Sequence, residues 1–318
     1  IDGKKYYAWL EVAKAFCKIG YIPLCLNVNA KYVGVAQNRP RFIMLGLRKD
    51  VCENFIASTE DEILIAALEE SMVFQQKLGD DENLESGLQY YDSDKDPEFF
   101  KSTIMSTLVA DKEKLVTVKD AIDDLRSGGE KPSRYVKKLN TEFKNSHAPK
   151  GVPELKKDEQ YNHELRCNGD RVKARFRIYQ RLTKLTKFEA KCVENHLKTE
   201  GNIKCLPEVL ESIAKDWVMS LDGKVILNPT PKDVLGILDQ LYTKKQTQRA
   251  LQAEFPAPAA LSIPDDACHY HESEESLRTL TVREMARIQS FPDWYFIRSK
   301  VTTGGKMRKF EVPQYTQI

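Results

Sequence analysis

Two apolar runs near the beginning of the chain constrain its fold more strongly than any other feature. Residues 22–28 and 41–47 are rich in apolar side chains over lengths that are typical of strands. Nearly continuous runs of this kind occur in sheets that helices cover on both faces. Before them, residues 9–19 place apolar side chains at helical spacing, and Gly20 ends that helix. The order helix, strand, loop, strand therefore predicts part of an α/β sheet.

The rest of the chain favours helices. Residues 58–125 are mostly helical in pattern and acidic, whereas residues 127–160 are polar, contain Gly and Pro, and predict a loop. Helical periodicity returns at residues 170–185, 188–199, 207–220 and 232–242. We therefore expect a mostly helical region to follow the sheet.

Charge is segregated along the chain although the net charge is only +2 at pH 7. Residues 50–98 contain 15 acidic and two basic residues, and residues 131–191 contain 17 basic and seven acidic residues. Opposed blocks of this kind fit a protein with one surface that faces a polyanion, and they fit two ordinary solvated faces equally well. The charge pattern alone leaves both interpretations open.

The cysteines and histidines form no recognisable metal or redox motif. Seven cysteines are scattered along the chain without a Cys-x-x-Cys pair, so free thiols in a reducing compartment are expected. The short stretch Cys268-His269-Tyr270-His271 has no distant partner motif, and we expect no metal site there. No apolar stretch approaches the roughly 20 residues that span a bilayer, so we do not expect a membrane protein.

Gln37, Arg39 and Arg41 form the first candidate site. They alternate along the loop that leads into the second strand, so an extended backbone would project all three side chains to one side. Two guanidinium groups beside a carboxamide suit phosphate oxygens or the edge of a base. A solvated loop between strands is the alternative interpretation of the same residues.

Residues 278–293 form the second candidate segment, for which the sequence predicts a short capped helix. Thr281 is a good N-cap residue, and Glu284 three positions later completes a capping box. Apolar residues at helical spacing would face a core, and a proline ends the helix. The opposite, polar face would present Arg283 and Arg287.

Together these segments resemble a known family. Residues 34–42, Gly-Val-Ala-Gln-Asn-Arg-Pro-Arg-Phe, resemble the eighth conserved motif of the DNA (cytosine-5) methyltransferases, and residues 278–293 are similar to the ninth motif almost without change. Shorter similar stretches lie at residues 116–122, 256–258, 261–266, 302–305 and 312–318. The resemblance implies transfer of a methyl group from S-adenosylmethionine to C5 of cytosine in a specific sequence of double-stranded DNA, with the target base flipped out of the stack.

The resemblance also implies a division of the chain. Residues 1–49 would form the last helix and strands of a Rossmann-like catalytic α/β domain, and residues 50–277 a large, mostly helical target-recognition domain. Residues 278–318 would form the helix and tail that pack the recognition domain on the catalytic domain.

Several motifs of the family do not occur in this sequence. Family members carry a Gly-containing S-adenosylmethionine motif, a nucleophilic Pro-Cys motif and a Glu-Asn-Val motif, and all three are missing here. We therefore expect a missing N-terminal catalytic part, either in the same chain or in a separate subunit. S-adenosylmethionine would bind only the full-length enzyme, and this chain alone would be inactive.

Residue roles follow from the same resemblance. Arg41, supported by Arg39 and Gln37, would reach the flipped cytosine or its flanking phosphate. In the basic block, DNA contacts are expected from His163, Arg166, Arg171, Arg175 and Arg177. A structural role is expected for Arg278, Arg283 and Glu284. The protein would act with DNA inside the cell, in a bacterial cytoplasm or elsewhere. The alternative is a non-enzymatic DNA-recognition subunit of a split or degenerate methyltransferase.

Overall fold

The structure is a computed structural model, and it describes residues 7–80, 84, 86–101, 104–142, 153–154, 159–199, 207–259, 266–302 and 312–318. They belong to two compact units, Ile1–Leu115 and Val116–Ile318, which we call unit 1 and unit 2. The mixed α/β class with small sheets is confirmed. The division at residues 49 and 277 stays a prediction. All predicted site residues are described, but most of the similar stretches at 261–266 and 302–305 lie outside the described residues.

Unit 1 is built around a three-stranded sheet. Its helices and strands are α1 (Ala8–Lys18), β1 (Tyr21–Asn29), β2 (Gln37–Asn38), β3 (Pro40–Arg48), α2 (Lys49–Ser58), α3 (Glu62–Asp80) and β4 (Tyr91–Asp92). The strand order is β3-β1-β4, with β3 antiparallel and β4 parallel to β1. The predicted order helix, strand, loop, strand is confirmed. After α3, the expected helical pattern is wrong, because β4 and short 3-10 turns follow there.

Strand β1 is covered on both faces, as its apolar run predicts. Side chains of one face pack against α3 and the 3-10 turns that follow β4, namely Ile22, Leu24, Leu26 and Val28. Helix α1 lies over the other face. There, the Phe16 ring lies against Gly46, and a Cβ at Gly46 would come within 2.4 Å of that ring. Only glycine lets the helix pack this close to the neighbouring strand.

Strand β3 is an edge strand, and the expectation of cover on both faces is wrong for it. Phe42, Ile43 and Leu45 are 41%, 40% and 43% exposed. Phe42 belongs to the face of α1, whereas Ile43 and Leu45 belong to the face of α3, because side chains alternate along a strand. No described segment of unit 1 pairs with the outer edge of β3. A half-buried apolar strand thus borders the sheet.

Unit 2 contains most of the short helices. Its elements are α4 (Val118–Ile122), α5 (Arg134–Glu142), α6 (Asp170–Leu182), α7 (Lys187–Lys198), α8 (Pro207–Ala214), β5 (Val218–Met219), β6 (Val225–Ile226), α9 (Pro231–Leu238), β7 (Arg249–Ala250), β8 (Ala257–Pro258), β9 (Ala267–Cys268), α10 (Val282–Ile288) and α11 (Gln314–Gln317). The four helices expected between residues 170 and 242 are present as α6 to α9, with ends that differ by a few residues. None of the helices that the structure describes in either unit is long and apolar enough to cross a membrane.

Local capping sets where several of these helices begin. Capping boxes start four helices, through the pairs Thr117–Asp120, Thr186–Glu189, Thr230–Asp233 and Thr281–Glu284. In each pair the threonine hydroxyl accepts a backbone N–H bond and the carboxylate accepts one in return, which satisfies two N–H groups that a helix end leaves unpaired. Helix α6 lies in the main core, against α7, α8, β5 and β7.

Helix α5 falls within the segment for which the sequence predicts a loop, and that prediction is wrong for residues 134–142. Val136 and Leu139 are buried although the helix is polar on average. The Tyr135 hydroxyl donates to the Arg287 carbonyl at 2.6 Å. Asn140 donates to an Asp293 carboxylate oxygen at 2.7 Å. Two buried apolar side chains and these polar bonds, one to α10 and one to a residue after it, stabilise a helix that periodicity alone does not reveal.

Candidate functional site

The Gln37, Arg39 and Arg41 cluster lies where β1 ends and β3 begins. After β1 the chain makes a 3-10 turn, and Gly34 follows it with a φ of 78°, a left-handed conformation that favours glycine. The Asn29 side chain accepts a hydrogen bond from the Arg39 backbone N–H at 3.0 Å. The Ala30 N–H donates to the Arg39 carbonyl at 3.2 Å. The backbone at Arg39 is therefore held to the end of β1.

The glutamine of this cluster does not share the exposure of its two arginines. Gln37 is buried, Arg39 is partly buried and Arg41 is exposed. Burial and the neighbouring Arg41 charge both lower the pKa of Arg39. Two positive charges that interact in this way would favour an anion such as a phosphate. The role of Arg39 and Arg41 in binding DNA stays a prediction.

In residues 278–293, an ion pair is enclosed in the protein. Arg278 donates two parallel hydrogen bonds to the Glu284 carboxylate, at 2.8 and 2.7 Å. The Thr281 N–H donates to the same carboxylate at 2.8 Å. Burial alone would raise the pKa of the Glu284 carboxyl, but the Arg278 hydrogen bonds and nearby positive charge outweigh it and hold the pKa at about 2. Glu284 thus stays ionised inside the core.

The expected polar face of α10 is not exposed, and that prediction is wrong. Arg283 and Arg287 are 0% and 1% exposed. Arg283 donates to three backbone carbonyls, those of Tyr161 at 2.8 Å, Pro292 at 2.9 Å and Tyr295 at 2.6 Å. Periodicity assigned these residues to solvent because they are charged, but every side of α10 is covered in unit 2.

Arg287 is likewise held inside unit 2. Its guanidinium bonds to Asp124 at 2.6 Å and to both carboxylate oxygens of Asp293, at 2.7 and 2.9 Å. These charge-assisted bonds satisfy a buried guanidinium that water does not reach. The structural role expected for this segment agrees with these contacts, whereas its packing on a catalytic domain stays a prediction.

His163 and Arg166 were expected to contact DNA, and the structure places both against other groups of unit 2. The two ring nitrogens of His163 lie 2.9 Å from the Thr281 hydroxyl and 2.9 Å from the Leu125 carbonyl. Burial lowers the pKa of His163, so the ring is neutral at pH 7. The Arg166 guanidinium lies over the Tyr315 ring at 5.8 Å and is partly buried. In this conformation His163 joins two segments of the core and is not turned outward.

Helix α6 carries the other three expected DNA contacts, and burial separates them. Arg171 is exposed and donates to the Gln240 carbonyl. Arg175 is 9% exposed and donates to Gln248 at 2.8 Å. Arg177 is fully buried, with ion pairs to Asp216 at 3.0 Å and Glu272 at 2.8 Å. The prediction that Arg175 and Arg177 contact DNA directly is therefore wrong, because core packing surrounds α6 from Ala174 onwards.

A second basic surface lies on α7 and β7, outside the residues that sequence patterns singled out for DNA. Lys191 and Arg249 are exposed, and the side chain of Lys198 is 13% exposed. Burial lowers the pKa of Lys198, and the charges of Arg249 and Lys191 lower it further, against the attraction of Glu194. Arg249 and Lys191 are far apart in the sequence, so no single charge block reveals their proximity. The one sequence feature that could have pointed to this surface is the polar run Lys244-Lys245-Gln246-Thr247-Gln248-Arg249.

A comparison with known families decides the identity of the chain. A sequence profile described as C-5 cytosine-specific DNA methylase matches residues 1–310. The chain belongs to this family. No curated protein and no solved structure shows significant similarity to it. Membership of the C-5 methylase family supports DNA methyltransferase function and implies DNA as the substrate, and S-adenosylmethionine is the methyl donor in this family generally.

Two segments of unit 1 differ from the turn that binds S-adenosylmethionine in family members. Family members bind it through a Gly-containing turn, whose exposed backbone lets a ligand approach closely. The β3–α2 turn described in unit 1 instead contains Arg48 and Lys49, and Arg48 is paired with Asp50 at 2.5 Å. At Gly34, the space where a Cβ would lie is approached by the Asp111 carboxylate at 3.0 Å. No step of methyl transfer is therefore assigned to the described residues.

The described residues also contain no group of three His, Cys, Asp or Glu side chains that could hold a metal ion. His269, one of the residues considered for metal binding, lies inside the core of unit 2 and its Nε2 is 3.8 Å from a Glu284 oxygen. Six described cysteines are free thiols, and Cys205 lies outside the described residues.

The burial of His269 predicts that acid destabilises unit 2. Burial lowers the pKa of His269 from its ordinary value of 6.5 to about 4, although the Glu284 charge opposes this. The unfolded chain therefore binds a proton more readily than the folded one, and stability present above pH 6.5 is lost as the pH falls towards 4. We expect the melting temperature to fall by several degrees over this window.

The measurement is thermal unfolding at pH values from 7.5 to 4. The control is His269→Asn, whose amide oxygen can still accept the bond that the His271 N–H donates to the His269 ring at 3.0 Å. Asparagine does not titrate, so its melting temperature should fall less steeply over this window. Equal slopes for both proteins would show that His269 does not cause the acid sensitivity.

Proposed function

We propose that this chain is the target-recognition part of a DNA (cytosine-5-)-methyltransferase, together with the last strands of its catalytic sheet. The adjacent Arg39 and Arg41 guanidinium groups at the end of β1 carry this proposal, together with the family match over residues 1–310. Arg41 binds the flipped cytosine or its flanking phosphate, and Arg39 and the buried Gln37 support it. The substrate is double-stranded DNA inside the cell.

The exposed strand β3 supports a further catalytic part. An apolar edge strand that is open to solvent is a site where other chains pair and aggregate, so proteins usually cover such an edge. Phe42 on one face and Ile43 and Leu45 on the other are each about two-fifths exposed. Trp9 and Tyr90 form an aromatic cluster with Phe42, with ring centroids 5.6 to 6.0 Å apart. A preceding catalytic part, which holds the nucleophile and S-adenosylmethionine, would add its strands here.

Within the recognition part, we keep only the exposed members of the basic block as direct DNA contacts. Arg171 is exposed and Arg166 is partly exposed, and both are compatible with phosphate binding. Phosphate contacts orient a protein on DNA but do not read its sequence. The α10 segment with Arg278, Arg283 and Glu284 stabilises unit 2 and contacts no base.

The experiment maps cytosine methylation by bisulfite sequencing of DNA exposed to the full-length protein that contains this chain. The full-length protein should methylate C5 of cytosine within one sequence, and this chain alone should leave the DNA unmodified. Arg41→Ala should lower kcat/KM roughly 10- to 100-fold, because loss of a positioning contact misaligns the reacting base. Arg48→Ala is the matched control, since Arg48 lies at the other end of the same strand and is paired with Asp50.

The outcomes separate the two candidate functions. Absence of methylation above background would contradict the enzyme assignment. If the full-length protein then still bound DNA, the alternative of a non-enzymatic recognition subunit, from a split or degenerate methyltransferase, would replace it. Equal activities of the Arg41→Ala and Arg48→Ala proteins would show that Arg41 does not position the target base.

A further inference from the structure

A polar segment of unit 2, residues 242–249, follows α9 and ends at the first residue of β7. We call it the 242–249 loop. Both of its ends are anchored in the main core, because Leu241 is 0% and Ala250 is 8% exposed and both belong to that apolar cluster. Between them the sequence is Tyr-Thr-Lys-Lys-Gln-Thr-Gln-Arg, without an aliphatic side chain. Such a loop gains nothing from apolar burial, so its conformation depends on hydrogen bonds.

Three hydrogen bonds tie the inner side of the loop to α7 and to the residue before β9. The Thr243 N–H donates to the Leu197 carbonyl at the end of α7, at 2.8 Å. The Thr247 hydroxyl donates to Asp266, just before β9, at 2.8 Å. The Gln246 amide donates to the Lys198 carbonyl at 3.3 Å. The loop is therefore held against α7 and β9 rather than free in solvent.

Helix α6 holds the loop through two arginines of the basic block. The buried Arg175 donates to the side-chain oxygen of Gln248 at 2.8 Å, and Gln248 is itself 1% exposed. Arg171 donates to the carbonyl of Gln240, just before the loop. Arg175 acts as a positioning residue, because it holds one end of a loop whose outer side chains it does not cover.

The outer side of the loop carries donors that suit DNA. Lys244 and Arg249 are exposed, and the Arg249 Nε donates to the Thr247 carbonyl at 3.1 Å. This bond uses Nε. The edge of the planar guanidinium formed by Nη1 and Nη2 points away from Nε. An arginine presenting that edge matches O6 and N7 of guanine in the major groove.

The surroundings of Arg249 are positive. Lys191 and Lys198 of α7 lie close enough for their charges to affect one another. The Glu194 carboxylate, on the same helix, pairs with Lys198 at 3.7 Å. Asp266 is 5% exposed and faces inward to Thr247. A positive surface around a rigid, donor-rich loop favours a polyanion with readable base edges over a protein partner.

We infer that the 242–249 loop reads the target sequence in the major groove, with Arg249 on a guanine and Lys244 and Lys191 on flanking phosphates. This inference rests on the proposed function. It explains why Arg175 lies in a basic helix and yet donates to a side chain of the loop. Arg249 would thus determine specificity, whereas Lys244 and Lys191 would only bind phosphates.

The test uses the full-length protein on a library of duplexes with randomised sequence around a cytosine, read by bisulfite sequencing. Arg249→Ala should lose discrimination for guanine at one position of the methylated motif by about 5- to 150-fold, because one bidentate pair is removed. Arg249→Lys should relax the same position, since an ammonium keeps the charge but not the fork. All other positions of the motif should keep their preference.

Salt dependence separates phosphate contacts from base contacts. Lys244→Ala should weaken binding to every sequence alike and lower the slope of log affinity against log salt by about 1. Lys224→Ala is the matched control, because Lys224 is exposed in the β5–β6 turn and pairs with Asp222 at 2.8 Å. It should change neither the motif nor the slope. Thermal unfolding of each variant checks that the fold is intact.

Two results would overturn the inference. If Arg249→Ala and Arg249→Lys keep the wild-type motif at every position, the loop does not read bases, even though the methylation itself supports the proposed function. If Arg249→Ala only lowers affinity for all sequences, Arg249 is a phosphate contact. Absence of methylation by the wild-type protein would instead remove the proposed function and this inference with it.

Discussion

Replacing Glu284 by alanine is expected to lower the free energy of unfolding of unit 2 by about 3–5 kcal/mol. Glu284 is fully buried and accepts hydrogen bonds from Arg278 at 2.8 and 2.7 Å. Alanine would leave the Arg278 guanidinium, in a residue that is only 5% exposed, without its counter-charge. The cost is large because water cannot reach this charge to solvate it. The Thr281 N–H would lose its acceptor as well.

The measurement is urea unfolding of the chain at pH 7, followed by the fluorescence of Trp217 and Trp294 in unit 2. Glu275→Ala is the matched control, because Glu275 is an exposed carboxylate just before the same segment and such substitutions change stability by within about 0.5 kcal/mol. Glu284→Gln should lie between the two, since its amide oxygen can accept a bond but carries no charge. Equal stability of Glu284→Ala and Glu275→Ala would contradict the buried ion pair.

Replacing Arg177 by alanine is expected to lower the free energy of unfolding by about 2–4 kcal/mol. The fully buried guanidinium donates to the Trp217 carbonyl at 3.0 Å and to Glu272 at 2.8 Å. It also lies over the Trp217 ring, 4.0 Å from the centroid. Alanine removes these contacts and leaves a cavity in the core. The loss is smaller than at Glu284 because the carboxylates of Asp216 and Glu272 are 36% and 27% exposed and can be solvated.

Lys184→Ala is the matched control for this substitution. The Lys184 ammonium lies 3.3 Å from Glu272, but its side chain is 59% exposed, so removing this pair should cost at most about 1 kcal/mol. DNA binding of the full-length protein provides the second measurement. Arg177→Ala should leave the salt dependence of binding unchanged under conditions in which the variant is folded. A smaller salt slope with unchanged stability would show that Arg177 contacts phosphate and is not a core residue.

Local patterns in the sequence predicted the elements whose causes are local. Apolar spacing identified α1, β1 and β3, and the Thr281–Glu284 pair identified the start of α10, because a capping box involves residues only three apart. Helix α5 was not predicted because its stabilising contacts, from Tyr135 and Asn140, go to Arg287 in α10 and to Asp293 after it, both distant in the sequence.

The sequence by itself determined the family, the order of the first helix and strands, and most helix positions. Only the tertiary structure decided which charged side chains are buried, because their partners are distant in sequence. Arg287 and Asp124 are 163 residues apart, Arg177 and Glu272 are 95 apart, and Arg175 and Gln248 are 73 apart. A count of basic residues cannot distinguish a guanidinium that faces DNA from one that is enclosed among carbonyls and carboxylates. That distinction depends on burial, which the packing of the whole unit sets.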